Sequence, residues 1–513
     1  MKKTIMLKLY LFVGLLLLVG FAAVLPQQSF FNLVKSSTAS VEEEDPAEVR
    51  LGERLFRETR FAQYFFAHNK GVNLALEKSD ASIVDLPSSK GKFSNPYQGS
   101  INCASCHFVD ENLESQGMRA YNDFAVRSLV PFRKEDQEKV TPRNSPQMVG
   151  SVKKDAMLHY DGEFSSAQDL VVESWLGRNF GWLSIERKAA IEHMAKVIRE
   201  DDGSFAEDKV SYRQIFEGHQ DYSSPKIPRV KLTELSSEQI VQLAADMVVA
   251  YMESLVFEKK SAFDQFLRVN SLPSEKKEGE NAKDFHARLL KALENKNLRF
   301  VEANKLEFHS HFSQFGEREL EGMKIFLSEN RGNCASCHHL PDFTDGSFHN
   351  TAVSQMEFDR VHGPGAFLKA NFTDIDKLKS IPTKKDRKMA DSGLHFVLHH
   401  PQFSDSWSKL VEPLCATLRG EIEGDCNLDS LRKNSFARFK TPNVRDLGHS
   451  EPYFHDGSAE NLEQAVAQYI GASNLHKMGR LREGAKELGK IQMTGKDVKP
   501  LTAFLRSLDE DYN

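Results

Sequence analysis

One hexapeptide occurs twice in this chain: Asn102-Cys103-Ala104-Ser105-Cys106-His107 is identical to Asn333-Cys334-Ala335-Ser336-Cys337-His338. Other elements flank both copies in the same order. Leu51-Gly52-Glu53-Arg54-Leu55-Phe56 precedes the first as Glu321-Gly322-Met323-Lys324-Ile325-Phe326 precedes the second, each with apolar residues at helical spacing. Ser145-Pro146-Gln147-Met148 and His159-Tyr160-Asp161-Gly162 correspond to Thr441-Pro442-Asn443-Val444 and Phe454-His455-Asp456-Gly457. Val249-Ala250-Tyr251-Met252-Glu253-Ser254-Leu255 returns as Thr502-Ala503-Phe504-Leu505-Arg506-Ser507-Leu508. A single match could be chance, but matches in register imply two homologous domains.

The repeat sets the expected boundaries: one domain over residues 45–258, a connector over 259–315, and a second domain over 316–513. The charged stretch Pro273 to Asp284 reads as a solvated part of that connector, with short helices around it. Ser237 to Phe257 spaces its apolar residues three and four apart, which predicts a helix packed on a core. Alternating strands and hairpin motifs are scarce, so the fold expected is mainly α, with long loops and small β-ribbons at most. A chain of 513 residues exceeds a single core, and its 40% hydrophobic and 27% charged residues are those of a globular protein. The net charge of −6 leaves no positive excess to neutralise phosphates, which argues against nucleic acid as a main partner.

Residues 1–26 carry Lys2, Lys3 and Lys8, then an uncharged apolar run from Leu9 to Leu25 closed by Pro26. This is the pattern of an export segment, either a cleaved signal or a retained membrane anchor. Both place the remainder outside the cytoplasm, in the periplasm, where disulfides persist. Cys415 and Cys426 then read as a disulfide closing a short loop, the alternative being two free thiols.

Cys-x-x-Cys-His is the attachment signature of c-type haem. Two thiols three positions apart add to the two vinyl groups of one porphyrin, and the adjacent histidine reaches the iron. A zinc site would want a second ligand pair close by, and a redox dithiol has no use for a histidine in both copies. Two covalent haems are therefore expected, at Cys103, Cys106 and His107 and at Cys334, Cys337 and His338.

Beyond these motifs, Phe439-Lys440-Thr441-Pro442-Asn443-Val444-Arg445-Asp446-Leu447, with Pro452 to Gly457 and Leu462-Glu463-Gln464-Ala465, resembles the second haem domain of bacterial di-haem cytochrome c peroxidases and of their MauG-type relatives. Arg143-Asn144-Ser145-Pro146 with Tyr160-Asp161-Gly162 resembles the first. The resemblance runs from about Glu48 to Leu508, interrupted by insertions at Ala62 to Gly99, Asn179 to Lys231, Ser261 to Phe315 and Gln355 to Arg438. It implies two cytochrome c-like domains related by internal duplication. The implied activity is reduction of hydrogen peroxide at the N-terminal haem, with electrons passed through the C-terminal haem from a small periplasmic cytochrome c or cupredoxin. MauG-like oxidation of a partner protein is one alternative, and a non-catalytic electron-transfer cytochrome is another.

The departures from the family pattern are informative. Where the peroxidases place a methionine ligand fourteen residues after the histidine of the His-Asp-Gly motif, this chain has Tyr469, the MauG-type feature, with Met478 as the competing ligand. No histidine lies between His107 and His159 to cap the first haem, and the repeat counterpart of Tyr469 falls near Ser174 to Gly177. The first haem is thus expected to be open or water-bound. The resemblance implies an acid/base from the segment after Asp-Gly, with Glu173 first and Arg178 or Asn179 stabilising charge. Tyr160 stands where relatives place a tryptophan between the haems, and His455 is its repeat counterpart. A calcium ion between the domains is implied at Asn144, Ser450 and Pro452.

Overall fold

The helices that frame the site are, in chain order, α1 (Ala47–Phe56), α2 (Ala167–Leu176), α3 (Ser237–Ser254), α4 (Ala262–Val269), α5 (Glu317–Leu327), α6 (Leu462–Lys477) and α7 (Gly495–Arg506). They come from a computed structural model that describes residues 45–78, 80, 99–108, 123–124, 141–152, 157–294, 297–306, 309, 311–418, 422 and 424–510. The export segment at 1–26 lies outside the described residues. Among the described residues, no helix is long and apolar enough to cross a membrane.

The helix expected from Ser237 forms as α3. Ser236 caps it reciprocally: the Gln239 N–H donates to the Ser236 hydroxyl at 3.2 Å, and the Ser236 N–H donates to the Gln239 side chain at 2.8 Å. Crossing it is α1, and the crossing point is Gly52. A Cβ there would overlap the Met247 carbonyl and lie 2.8 Å from Tyr251 Cβ. The α5 and α7 pair meets in the same way at Gly322, where a Cβ would overlap the Pro500 carbonyl and lie 2.7 Å from Phe504 Cβ. Each crossing is backed by an aromatic pair, Phe56 with Tyr251 and Phe326 with Phe504, both with ring centroids 5.3 Å apart. Only hydrogen at these two positions permits backbone to approach side chain so closely.

Strands are few. Among the described residues there are three two-stranded antiparallel ribbons: β1 (His107–Phe108) with β2 (Asp123–Phe124), β3 (Val301–Lys305) with β4 (Phe312–Phe315), and β5 (Phe348–His349) with β6 (Phe439–Lys440). In the last, Phe348 pairs with Lys440 and His349 with Phe439, which draws the segment after the second hexapeptide onto the segment before the second Pro-Asn motif.

Three apolar clusters fill the interior. One is built from Val49 to Leu255 around α1, α2 and α3, and a second from Ala262 to Leu508 around α4 to α7. Residues 259–315, expected as a solvated connector, supply Phe263, Phe266, Phe285 and Phe315 to the second cluster. Apolar side chains at helical spacing win there, while the charged run near 274–279 stays exposed. The third cluster comes mostly from the Gln355 to Arg438 insertion, where Phe358, Phe367, Phe372 and Phe436 pack with ring centroids 4.9 to 5.9 Å apart.

Gly52→Ala and Gly322→Ala test the two crossings. Each should lower stability by at least the ~1–3 kcal/mol typical of overpacking, read as a fall in the denaturation midpoint of the haem-loaded protein. An unchanged midpoint in both would show that the helices do not meet at these glycines.

Candidate haem-binding site

Both hexapeptides form a single 3-10 turn, Cys103–Ser105 and Cys334–Ser336, that presents the histidine at its end. Their anchoring differs although their sequence does not. The Asn102 side chain accepts the Ser105 N–H at 2.9 Å and donates to the Arg57 carbonyl at 2.8 Å, which fixes the loop to the end of α1. Asn333 instead adopts a left-handed conformation (φ 53°) and donates to the Glu487 carbonyl at 2.9 Å.

The four cysteines of the two motifs are in no disulfide. Burial pushes the Cys103 and Cys334 thiols up to about 12, with the neighbouring Cys106 and Cys337 adding to it. Burial, with His159 nearby, pushes His107 down to about 4, and burial lowers His338 as well. Burial thus disfavours the charged form of both imidazoles. The His338 Nδ1 lies 3.0 Å from the Phe343 carbonyl. A carbonyl only accepts, so Nδ1 carries the proton and Nε2 keeps its lone pair. In the first motif the corresponding nitrogen of His107 faces the Pro146 carbonyl without reaching hydrogen-bond geometry.

Both motifs line one cavity of about 1590 Å³, well beyond the ~300–1,000 Å³ of an ordinary small-ligand pocket. Helix α2 walls it near the first motif, with Trp175 beside Cys103, and α6 walls it near the second. Tyr469 on α6 is half-buried and faces Cys337 and Cys334, and desolvation followed by those two sulfurs raises its phenol pKa. Paired thiols, an imidazole beside each pair and a large shared cavity are what two c-type haems require.

The remaining candidates divide. Met478 is 66% exposed at the end of α6 and does not line the cavity, whereas Tyr469 does. Ser174, in the stretch near which the counterpart of Tyr469 is expected, lines it on α2 with Glu173, and Arg178 lines it just beyond. Glu173 is exposed and held by Arg187 through two hydrogen bonds of 2.7 and 2.6 Å, a partner not foreseen. Asn179 is exposed on the same wall. Tyr160 and His455 meet edge to face at 6.4 Å, and His455 stacks on Phe439 at 3.6 Å. The calcium candidates converge in part. Asn144 Nδ2 donates to the Pro452 carbonyl at 2.8 Å and the Phe454 carbonyl at 3.0 Å, while the Ser450 hydroxyl donates to the Asp446 carbonyl at 3.3 Å. Cys415 and Cys426 form a disulfide with Cα atoms 5.7 Å apart.

Sequence reasoning missed a buried charge network on the cavity wall. Arg143 binds Asp391 through Nε at 2.6 Å and Nη2 at 2.7 Å, and reaches Asp161 through Nη1 at 2.5 Å. Lys379 lies 3.0 Å from both Asp161 and Glu163, and Glu163 lies 3.2 Å from His159. Burial opposes ionisation of Asp161, yet Arg143 and then Lys379 hold its carboxyl well below the usual range. Asp391 and Lys379 both come from the Gln355 to Arg438 insertion, where no motif marks them.

No family profile matches the chain. The methylamine utilization protein MauG of Methylophilus methylotrophus is 23% identical over 194 residues, 38% of this chain and 37% of that protein. Cytochrome-c peroxidase IdrP2 of Denitromonas iodatirespirans is 26% identical over 196 residues, 38% of this chain and 41% of its own length. The matches thus span about two-fifths of these curated relatives. Among solved structures, a MauG-like protein associated with microbial copper homeostasis superposes with a TM-score of 0.47 at 16% identity, covering 91% of this chain and 90% of that one. The diheme peroxidase BthA of Burkholderia thailandensis gives 0.46 at 16% identity, covering 92% and 88%. Over these stretches of about two-fifths of its length, the chain is similar in sequence to MauG and to a cytochrome-c peroxidase.

Asp391→Ala would leave Arg143 short of a buried partner, at a cost of about 3–5 kcal/mol. Breaking the exposed pair with Glu173→Ala should cost less than about 1 kcal/mol. Denaturation of the two haem-loaded variants side by side checks that order, and equal midpoints would contradict it.

Proposed function

We propose that this chain is an exported di-haem oxidoreductase that reduces hydrogen peroxide at the haem held by Cys103, Cys106 and His107, with electrons passed through the haem held by Cys334, Cys337 and His338. The two haems belong to two cytochrome c-like domains, residues 45–258 and 316–513, joined through 259–315. The observation that carries this reading is the inequality of the helices near the two motifs: α6 presents Tyr469 to the second, whereas α2 lines the cavity with Ser174, in the stretch near which the counterpart is expected. The near-identical glycine crossings at Gly52 and Gly322 support the duplication.

When bound, the haems supply the iron at which peroxide is reduced and the capacity to hold oxidising equivalents. The protein supplies the rest. His107 and His338 would each offer an imidazole nitrogen to an iron, and Tyr469 would offer its phenol oxygen to the second. Glu173 at the cavity wall takes a proton from the attacking peroxide and returns it to the departing oxygen, once it parts from Arg187. Arg178 steadies the negative charge that develops. Tyr160, edge to face with His455, relays electrons between the two sites. Asn144, Ser450 and Pro452 would hold calcium through oxygen atoms, which requires the Asn144 amide to turn its oxygen toward the Pro452 side. The export pattern at 1–26 places the protein in the periplasm, soluble or anchored, where the donor is a small cytochrome c or cupredoxin.

A second reading, MauG-like oxidation of residues on a partner protein, is favoured by Tyr469 itself. An anionic phenolate stabilises ferric and higher states more than a thioether does.

Low-temperature electron paramagnetic resonance of the ferric protein should show a high-spin haem signal that changes on adding peroxide; its absence would leave only an electron-transfer cytochrome. Tyr469→Met should raise the potential of one haem, while Met478→Leu should leave both potentials unchanged in a redox titration. The reverse pattern would make Met478 the ligand. Steady-state turnover of peroxide with reduced cytochrome c then separates the peroxidase reading from the protein-oxidising one.

A further inference from the structure

Two histidines and two aspartates from three distant parts of the chain meet in a second place. His309 and His311 precede β4, Asp446 follows Arg445, and Asp509 lies just beyond α7. His309 Nε2 is 2.7 Å from Asp446 Oδ1, and His311 Nε2 is 3.0 Å from Asp509 Oδ2. The side chains of His309, Asp446 and Asp509 are fully buried, and that of His311 is 22% exposed. One ligand atom from each of His309, Asp446 and Asp509 falls within 4.8 Å of the others.

Two details point to a ligand. Asp509 Oδ2 and His311 Nε2 are buried and, despite their closeness, complete no hydrogen bond, because the ring N–H is not aimed at the oxygen. Gly448 keeps the space between these groups open: a Cβ there would lie 2.8 Å from Asp509 Oδ2, 2.9 Å from the His309 ring and 3.0 Å from the His311 ring. Two buried carboxylates side by side are costly unless each is paired or bound to a metal. A simple pair of ion pairs would account for His309 with Asp446, but it would align His311 with Asp509, and they are not aligned.

We propose that His309, His311, Asp446 and Asp509 bind one divalent transition-metal ion of the zinc class in a closed four-coordinate site. Two imidazole nitrogens and two carboxylate oxygens are a zinc-type donor set, and bonds of about 2.0–2.2 Å place tetrahedral ligands roughly 3.3–3.5 Å apart. His309, Asp446 and Asp509 already lie within 4.8 Å of one another, and His311, 3.0 Å from Asp509 with its ring centroid 5.4 Å from that of His309, must swing inward to complete the site. Calcium is disfavoured, since it takes six to eight oxygens. The ion would staple the 259–315 segment to the Arg445-Asp446 segment and to the C-terminal end of α7. Its role is structural, because no coordination position is left open.

The test uses the haem-loaded protein, stripped with a chelator and titrated with zinc ion alone, with zinc and iron counted separately by mass spectrometry. One zinc per chain is expected, at saturation, in the unmodified protein and in His68→Ala, an exposed-histidine control. The double variant His309→Ala/His311→Ala should lose it. His311→Ala alone, at the partly exposed ligand, should weaken zinc by more than the roughly 10- to 100-fold typical of losing an outer-shell partner. No saturable zinc, or zinc retained by the double variant, would overturn the proposal. Should the double variant fail to fold, zinc-edge X-ray absorption of the unmodified protein decides: a shell of nitrogen and oxygen with two imidazoles supports the site, and any sulfur ligand or a water-only shell refutes it.

Discussion

Arg143 is the buried charge on which the arrangement of the cavity depends. Its guanidinium joins Asp161, next to the Tyr160 that faces the cavity, to Asp391 of the long insertion. The adjacent Asn144 reaches in the other direction, to the carbonyls of Pro452 and Phe454 beside His455. Three segments far apart in sequence are thereby brought to one wall. Such a pair is a poor source of net stability, since removing two charges from water costs much of what their attraction returns. What it confers is placement: Arg143 cannot leave Asp391 without stranding a charge, so the insertion stays against the cavity.

Against that shared frame, the chemistry of the two halves differs by single residues. Helix pairs meet at Gly52 and Gly322 in the same manner, and the same six residues form both attachment turns. The difference lies on the opposite wall. Among the described residues, a tyrosine on α6 and a serine on α2 line the cavity that both motifs share. Repetition of a fold with divergence at one ligand position is how a storage site and a reactive site can come from a single architecture.

Much of this was legible in the sequence because it rests on short-range patterns. The Cys-x-x-Cys-His turns and the helix from Ser237 follow from spacing within a few residues, and Tyr469 stands out through the resemblance to the di-haem family. The parts that escaped notice depend on contacts between distant residues. Lys379 and Asp391 carry no motif, and their meaning appears only when Asp161 and Arg143 are beside them. Phe263, Phe266 and Phe285 flank the charged stretch Pro273 to Asp284, in a segment that reads as a connector until the second core is seen to take them in. Even the identical hexapeptides differ, because Asn102 finds the Arg57 carbonyl and Asn333 finds that of Glu487.

The central proposal is that the two haem sites would be unequal, with Tyr469 available to the second and Ser174 lining the cavity on the helix near the first. Near-infrared magnetic circular dichroism of the fully ferric protein reads axial ligation at each haem directly. The account predicts one spectrum without a nitrogen or sulfur sixth ligand alongside one that changes on Tyr469→Phe. Two low-spin spectra of the bis-histidine or histidine–methionine type, both indifferent to that substitution, would contradict it.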